Sequence, residues 1–317
     1  IACWYSGAAE ASRDARILCA DSGEGAVWSE PWTAVAAGAQ PAGQHAEKSL
    51  GNVVLFEGRD GRLWMVHGAI QSPRMLGVAE PCPGWRCGRI DARWSADGGR
   101  TWSQATRLLG LPGALPRAKP LVVPGLGLVL PAYQEAPRRT VLAVVAERPG
   151  PSLEVTAAFP LRGVRLIQPA LATDAAGGVR AFFRDPKKRA VWTAVFDPKA
   201  MAWSAPEQTN LPNPSSAVDV FRDRQGRYVL VYNPSQHGRG ALALARSSDG
   251  VAFQRGCYLA EGDGDVAYPT VTGDADHGWA VIWSASDKRR IATAAFDEAW
   301  LAQCFAEPPA SGAPTPN

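Results

Sequence analysis

The chain has 317 residues, 46% of them apolar and 20% charged, which is enough to bury a real core. Its net charge of +3, from 33 basic and 30 acidic residues, gives no argument for a nucleic-acid or anionic-membrane partner. No apolar run approaches the roughly 18 residues of a membrane helix, and no signal peptide is legible. The 32 Gly, 26 Pro and 12 Trp exclude a helical bundle and argue against a doubly wound α/β fold. They suit many short strands joined by turns.

One unit recurs along the chain, a turn followed by an apolar run. The sixth and earliest copy lacks its turn and starts at Ile1-Ala2-Cys3-Trp4-Tyr5. The others begin at Gly61-Arg62-Leu63-Trp64, Gly127-Leu128-Val129-Leu130, Gly178-Val179-Arg180-Ala181, Gly226-Arg227-Tyr228-Val229 and Gly278-Trp279-Ala280-Val281. Successive copies lie roughly 50 to 65 residues apart, the length of a four-stranded propeller blade. The expected fold is all-β, a six-bladed β-propeller over 1–306. The Pro-rich tail 307–317 is expected to be disordered. The runs are read as the inner strands of the blades.

A second element keeps step with the first. Ser95-Ala96-Asp97-Gly98-Gly99-Arg100-Thr101-Trp102 is a full S-x-D-x-G-x-T-W match, and Ser247-Ser248-Asp249-Gly250-Val251-Ala252-Phe253 is a weaker one. Degenerate copies end at Val27-Trp28-Ser29-Glu30-Pro31 and Ala202-Trp203-Ser204-Ala205-Pro206. Asp and Gly make the turn and the aromatic packs beside it, so Asp97 and Asp249 are read as structural.

Six cysteines are present: Cys3, Cys19, Cys82, Cys87, Cys257 and Cys304. No C-x-x-C pair occurs, so the spacing reads as neither a zinc site nor a redox motif. Two readings stay open. One is six thiols in a cytosolic protein, the other an exported protein with one to three disulfides, Cys82–Cys87 among the candidates. The Trp-rich, Lys-poor composition favours a secreted or periplasmic protein. The histidines His45, His67, His237 and His277 are scattered without ligand spacing, so no metal and no cofactor is expected. A Ca²⁺ in Glu261-Gly262-Asp263-Gly264-Asp265 would suit hard oxygen ligands, but the spacing is not that of an EF-hand.

With the repeats placed, the chain resembles the bacterial predicted-neuraminidase group of BNR-repeat, sialidase-like proteins. The resemblance runs through Trp4-Tyr5-Ser6-Gly7 with Glu10 and Asp14, Gly51-Asn52-Val53, Lys119-Pro120 and Pro131-Ala132-Tyr133. It continues in Ile167-Gln168-Pro169, Phe183-Arg184-Asp185, Leu211-Pro212-Asn213-Pro214-Ser215-Ser216 with Asp219, Val231-Tyr232-Asn233, Tyr268-Pro269-Thr270 and Arg290-Ile291.

That resemblance implies an exo-acting, retaining glycoside hydrolase that removes a terminal acidic sugar of sialic acid, KDN or Kdo type. Its partner would be a glycan, and the protein a monomer. The family uses a Tyr nucleophile, a Glu that takes the Tyr proton, an Asp acid/base and three Arg on the substrate carboxylate. A neutral phenol avoids repulsion from that carboxylate, and guanidinium binds it bidentately. Carried over, Tyr268 resembles the nucleophile, Asp219 stands near the Glu, and Asp14 resembles the acid/base with Glu10 as rival. Arg184, Arg290, Arg117 and Lys119 are candidate anion contacts. Gln168, Asn213, Asn233 and Asn52 are candidate sugar contacts. The R-I-P motif of the family is not found in the chain, and Pro269 follows Tyr268 where Ser is usual. The alternatives are a non-catalytic carbohydrate-binding propeller, or a lyase or neutral-sugar hydrolase on the same fold.

Overall fold

In the computed structural model, which describes residues 1–23, 27–38, 47–71, 84–187, 189–262 and 264–306, each glycine-led run forms a strand. Two compact units emerge, Ile1–Val122 with Leu126–Arg162, and Val123–Gly125 with Gly163–Asn317. The expected tail 307–317 lies outside the described residues.

The first unit carries three antiparallel sheets. The first contains β1 (Ala2–Ser6), β2 (Arg16–Ala20) and β3 (Trp32–Ala36). The second contains β4 (Glu47–Glu57), β5 (Leu63–Gln71), β6 (Gly88–Ser95) and β7 (Thr106–Leu109). The third contains β8 (Ala114–Pro116), β9 (Leu121–Val123), β10 (Gly127–Gln134), β11 (Arg139–Arg148) and β12 (Ser152–Pro160).

The second unit carries three more. They are β13 (Ile167–Thr173) to β17 through β14 (Val179–Arg184), β15 (Ala190–Asp197) and β16 (Ala202–Trp203), with β17 at Glu207–Pro212; then β18 (Asp219–Arg222), β19 (Tyr228–Tyr232), β20 (Ala241–Ser247) and β21 (Gln254–Glu261); then β22 (Ala267–Asp274), β23 (Gly278–Ala285) and β24 (Arg290–Phe296). Helix α1 (Glu298–Ala306) follows. The six sheets are the six blades of a β-propeller.

The glycine-led runs turn out to be second strands. In sheet order β5, β14, β19 and β23 each follow another strand, namely β4, β13, β18 and β22. The second strands are paired on both sides, and β19 is buried throughout. Within the first unit β4 packs beside β1 and β8, and within the second β18 packs beside β13 and β22.

The Asp-box sequences form the turns expected of them. Ser95 Oγ donates to Asp97 Oδ1 at 2.7 Å and accepts from Gly99 N at 2.8 Å. Thr101 gives Asp97 its amide at 2.9 Å and its hydroxyl at 2.6 Å. The Thr101 hydroxyl above all, with its amide and Ser95, holds the Asp97 carboxyl far below the usual range. Ser247 and Asp249 repeat the arrangement, and Phe253 packs edge-on against Phe182. The full copy at Asp97 and the two degenerate copies share a further contact. Ser29, Ser103 and Ser204 each accept from the amide of Asp21, Trp94 or Val195 and return their own amide to that residue's carbonyl.

Disulfides join Cys3 to Cys19, directly opposite each other in β1 and β2, and Cys257 in β21 to Cys304 in α1. Cys87 is also disulfide-bonded, while Cys82 lies outside the described residues.

Beneath the second sheet lies a buried charged cluster. Arg89 pairs with Asp91 at 2.7 Å and Arg93 with Glu47 at 3.4 Å. Arg93 Nε also donates to His67 Nε2 at 3.4 Å, so that nitrogen must be an acceptor and the ring neutral. Burial first, then the Arg93 charge, pushes the His67 pKa down to about 4. An unfolded His67 would titrate near 6.5, so the unfolded chain binds the extra proton between those values. This contribution to stability is complete above pH ~6.5 and is lost as the pH falls towards 4, on the order of 3 kcal/mol in all. Urea unfolding at pH 7, 5 and 4 should show that slope in the natural protein and a shallower one in His67→Gln.

The hairpin between β22 and β23 admits only glycine at one position. Gly273 has φ +112°, and a Cβ there would sit 2.1 Å from the Gly278 carbonyl oxygen. Gly273→Ala is expected to cost about 2–4 kcal/mol in urea unfolding.

Candidate active site

A backbone feature that no composition reveals sets the positions of three candidate residues. In β4, β13 and β22 two residues oppose one on the second strand: Asn52-Val53 between the Gly51–Gly68 and Val54–Val66 pairs, Gln168-Pro169 between Ile167–Arg184 and Ala170–Phe182, and Tyr268-Pro269 between Ala267–Ser284 and Thr270–Ile282. The first residue of each bulge is left-handed, with φ of 50°, 53° and 59°. That region is uncommon outside glycine and belongs to bulges that re-aim a side chain.

In the second unit the bulges bring a site together. Tyr268 is half-buried. Arg239 Nη1 donates to its hydroxyl at 3.3 Å, and the Arg239 guanidinium lies 5.3 Å from the ring centroid. Lys288 Nζ lies 5.7 Å from the same centroid. Arg184 donates from Nη1 to Gln168 Oε1 and from Nε to Ser215 Oγ, both at 3.0 Å. Arg239 Nη2 donates to the Ser215 carbonyl at 2.6 Å, and its Nη1 lies 3.5 Å from Asp265 Oδ2. Ser215 therefore holds both arginines, one by its hydroxyl and one by its carbonyl.

Ser215 is itself presented by a built turn. Asn213, fully buried, donates to the Ser216 carbonyl and accepts from the Ser216 amide, leaving Ser215 at φ 63°. Asn233 donates to the Ala241 and Val266 carbonyls, while Val266 N donates to Arg239 O. Both asparagines thus shape the loops that carry the site. Asp219 is buried as well, taking the Val220 amide on Oδ1 and the Val271 amide on Oδ2, both within 2.9 Å, so it ties β18 to β22. Arg290, exposed at the start of β24, is two residues beyond the Lys288 that reaches Tyr268.

The electrostatics follow from this crowd of cations. Burial alone would push the Tyr268 phenol up. The charges of Arg184, Arg239 and Lys288, with the Arg239 hydrogen bond, outweigh it and leave the pKa below the ordinary tyrosine value. Tyr228 and Tyr232 show the opposite case: burial dominates both and pushes Tyr232 up to about 12.

In the first unit Glu10 accepts from the Trp85 indole at 3.0 Å, and Tyr5 meets Trp85 edge-on at 6.4 Å. Gly51 leaves room for Trp85, whose ring would lie 2.5 Å from a Cβ there. Asn52 donates to the Tyr133 hydroxyl at 3.0 Å. Asp14 is exposed and accepts the Ala8 amide at 2.9 Å; the neighbouring Ser12 hydroxyl first, and that amide next, hold its carboxyl below the usual value. Arg117 and Lys119 are half-buried just beyond β8. Among the described residues no cluster of three or more His, Cys, Asp or Glu could hold a metal, and Asp263 of the acidic loop lies outside them.

Three contributors were not among the sequence candidates. Arg239 sits in Gly238-Arg239-Gly240, where flanking glycines were the available hint. Lys288 lies in a charge run that reads as a solvated turn. Ser215 was only part of a motif.

The model of the BNR repeat-like domain matches residues 1–280. The chain belongs to that family. No curated protein matches it. Among solved structures, the BNR-repeat chain is similar to a protein of unknown function from Dyadobacter fermentans, with 14% identity, TM-score 0.67 and coverage of 92% of this chain and 85% of that one. It is also similar to the NanB sialidase of Streptococcus pneumoniae, with 12% identity, TM-score 0.67 and coverage of 93% and 65%. The intramolecular trans-sialidase of Ruminococcus gnavus, solved with oseltamivir carboxylate, gives 9% identity, TM-score 0.68 and coverage of 96% and 92%. The chain spans less than two thirds of NanB. These likenesses give the BNR-repeat protein a sialidase-like propeller fold.

The acidified phenol has a direct signature. In a spectrophotometric titration one of the six tyrosines should ionise below pH 10, well ahead of Tyr232. That early step should vanish in Tyr268→Phe.

Proposed function

We propose that this BNR-repeat protein is an exo-acting glycoside hydrolase that removes a terminal acidic sugar from a glycan with retention. The observation that carries the reading is the Tyr268 phenol set among Arg184, Arg239 and Lys288. Cations that lower a phenol's pKa make it a better nucleophile and offer the substrate carboxylate its charge partners. Tyr268 is the nucleophile in this reading, and Arg184 and Arg239 bind the acid group. Asp14, an exposed loop carboxylate held by the Ser12 hydroxyl and the Ala8 amide, takes the acid/base role on the family resemblance alone, while Glu10 is engaged by Trp85. The disulfides Cys3–Cys19 and Cys257–Cys304 support an exported protein, secreted or periplasmic.

A second reading is a binding module without turnover. It is favoured by Asp219, whose oxygens serve backbone amides, and by Gln168, an amide where a carboxylate could have served the phenol.

Methylumbelliferyl glycosides of N-acetylneuraminate, KDN and Kdo decide between them. Hydrolysis of at least one is expected, and Tyr268→Phe should lower it on the order of 1,000-fold with KM little changed. Binding of the free sugars without release of methylumbelliferone from any of the three would establish the second reading.

A further inference from the structure

The turn between β23 and β24 is the most strained described segment of the chain. Ser286, Asp287 and Lys288 are consecutive, none is glycine, and their φ values are 50°, 55° and 68°. Single left-handed residues occur in turns, but three in succession amount to a turn of left-handed helix, which L-residues disfavour. Strain of this kind persists only where the surroundings impose it, and such outliers gather at ligand clamps.

The surroundings are visible. Asp287 Oδ1 accepts the Asp265 amide at 2.8 Å. The carboxylate also lies against Gly264, where a Cβ would come 2.7 Å from Oδ1, so the glycine is what lets it approach. Arg289 N donates back to the Ala285 and Ser286 carbonyls at 3.1 and 3.2 Å. Asp287 is thereby committed to backbone, while Lys288 is exposed and directed over Tyr268 at 5.7 Å.

The other two cations beside Tyr268 differ from it. Arg184 is occupied by Gln168 and Ser215, and Arg239 by Ser215 and, at 3.5 Å, by Asp265. Both are half-buried and hydrogen-bonded to fixed partners, whereas Lys288 is exposed with its ammonium over the ring.

We propose that Lys288, held by the left-handed Ser286–Lys288 turn, is a specificity-determining residue that contacts the ligand's acid group and so separates acidic sugars from their neutral counterparts. The proposal rests on the reading of the Tyr268 cluster as an acidic-sugar site but needs no turnover. A point charge on a flexible stem suits such a role, because it adds attraction for an anion without fixing a bidentate geometry that Arg184 and Arg239 can already offer.

Calorimetric binding of free N-acetylneuraminic acid and of its methyl ester, which lacks the charge, tests the proposal. In the natural protein the acid should bind about tenfold or more tightly than the ester. Lys288→Ala should reduce that difference severalfold, the remainder being carried by Arg184 and Arg239, and Lys288→Arg should restore much of what is lost. Asp287→Ala, which keeps the lysine but releases the turn, should weaken acid binding in the same direction. In parallel, the early tyrosine ionisation should move up in Lys288→Ala. An acid-over-ester preference that survives Lys288→Ala intact would overturn the role of Lys288. Absence of turnover with these binding results in place would count against the hydrolase reading alone. Equal binding of acid and ester by the natural protein would remove both the role and the acidic-sugar site on which it rests.

Discussion

Two guanidinium groups anchored on one serine organise the candidate site. Ser215 offers its hydroxyl to Arg184 and its carbonyl to Arg239, so two cations that would repel each other are held at fixed positions by neutral oxygens. Among the described residues one carboxylate, Asp265, forms an ion pair with either of them, at 3.5 Å from Arg239. Positive charge therefore remains available to whatever enters, and Tyr268 is the nearest group to register it. The lowered phenol pKa is the consequence of that arrangement, since burial alone acts in the other direction.

Ser215 can do this because the loop before β18 is not free to relax. The Asn213 side chain closes a turn on both the amide and the carbonyl of Ser216. Asp219, four residues further on, fastens β18 to β22 through the Val271 amide, three residues beyond Tyr268. Asn233 secures the segment that leads into Tyr268 from the other side. These three polar residues, each buried, are thus placed to carry the functional groups and to satisfy the backbone of irregular loops, which an apolar side chain could not do.

The sequence disclosed the fold because the fold is periodic. Turn glycines before Leu63, Val179, Tyr228 and Trp279 and the boxes at Asp97 and Asp249 repeat at blade length, and local turn chemistry is enough to fix them. The same periodicity misled on which strand lies first in the sheets of β5, β14, β19 and β23, since the strand with the strongest apolar run there is the one paired on both sides. The site was legible where a strand end or a bulge carries it, as at Arg184, Gln168 and Tyr268. It was not legible at Arg239 and Lys288. Their placement depends on backbone φ and on partners 24 or more residues away in Arg239–Ser215 and 20 in Lys288–Tyr268, neither of which leaves a local pattern.

Gln168 brings the chemistry to a single balance of charge. As an amide it accepts from Arg184 without neutralising it, so the full guanidinium charge acts on Tyr268 and on an incoming anion. A carboxylate at that position would form a charge-assisted pair with Arg184 and return the phenol towards its ordinary value. A site can use Arg184 to hold a base or to hold an acid group. With Gln168 at the bulge, Arg184 keeps its full charge, and the tyrosine depends for its acidity on Arg184, Arg239 and Lys288 together. Attraction for anions and acidity of the phenol then rise from the same three charges, so an anion bound to them would return the phenol towards its ordinary value.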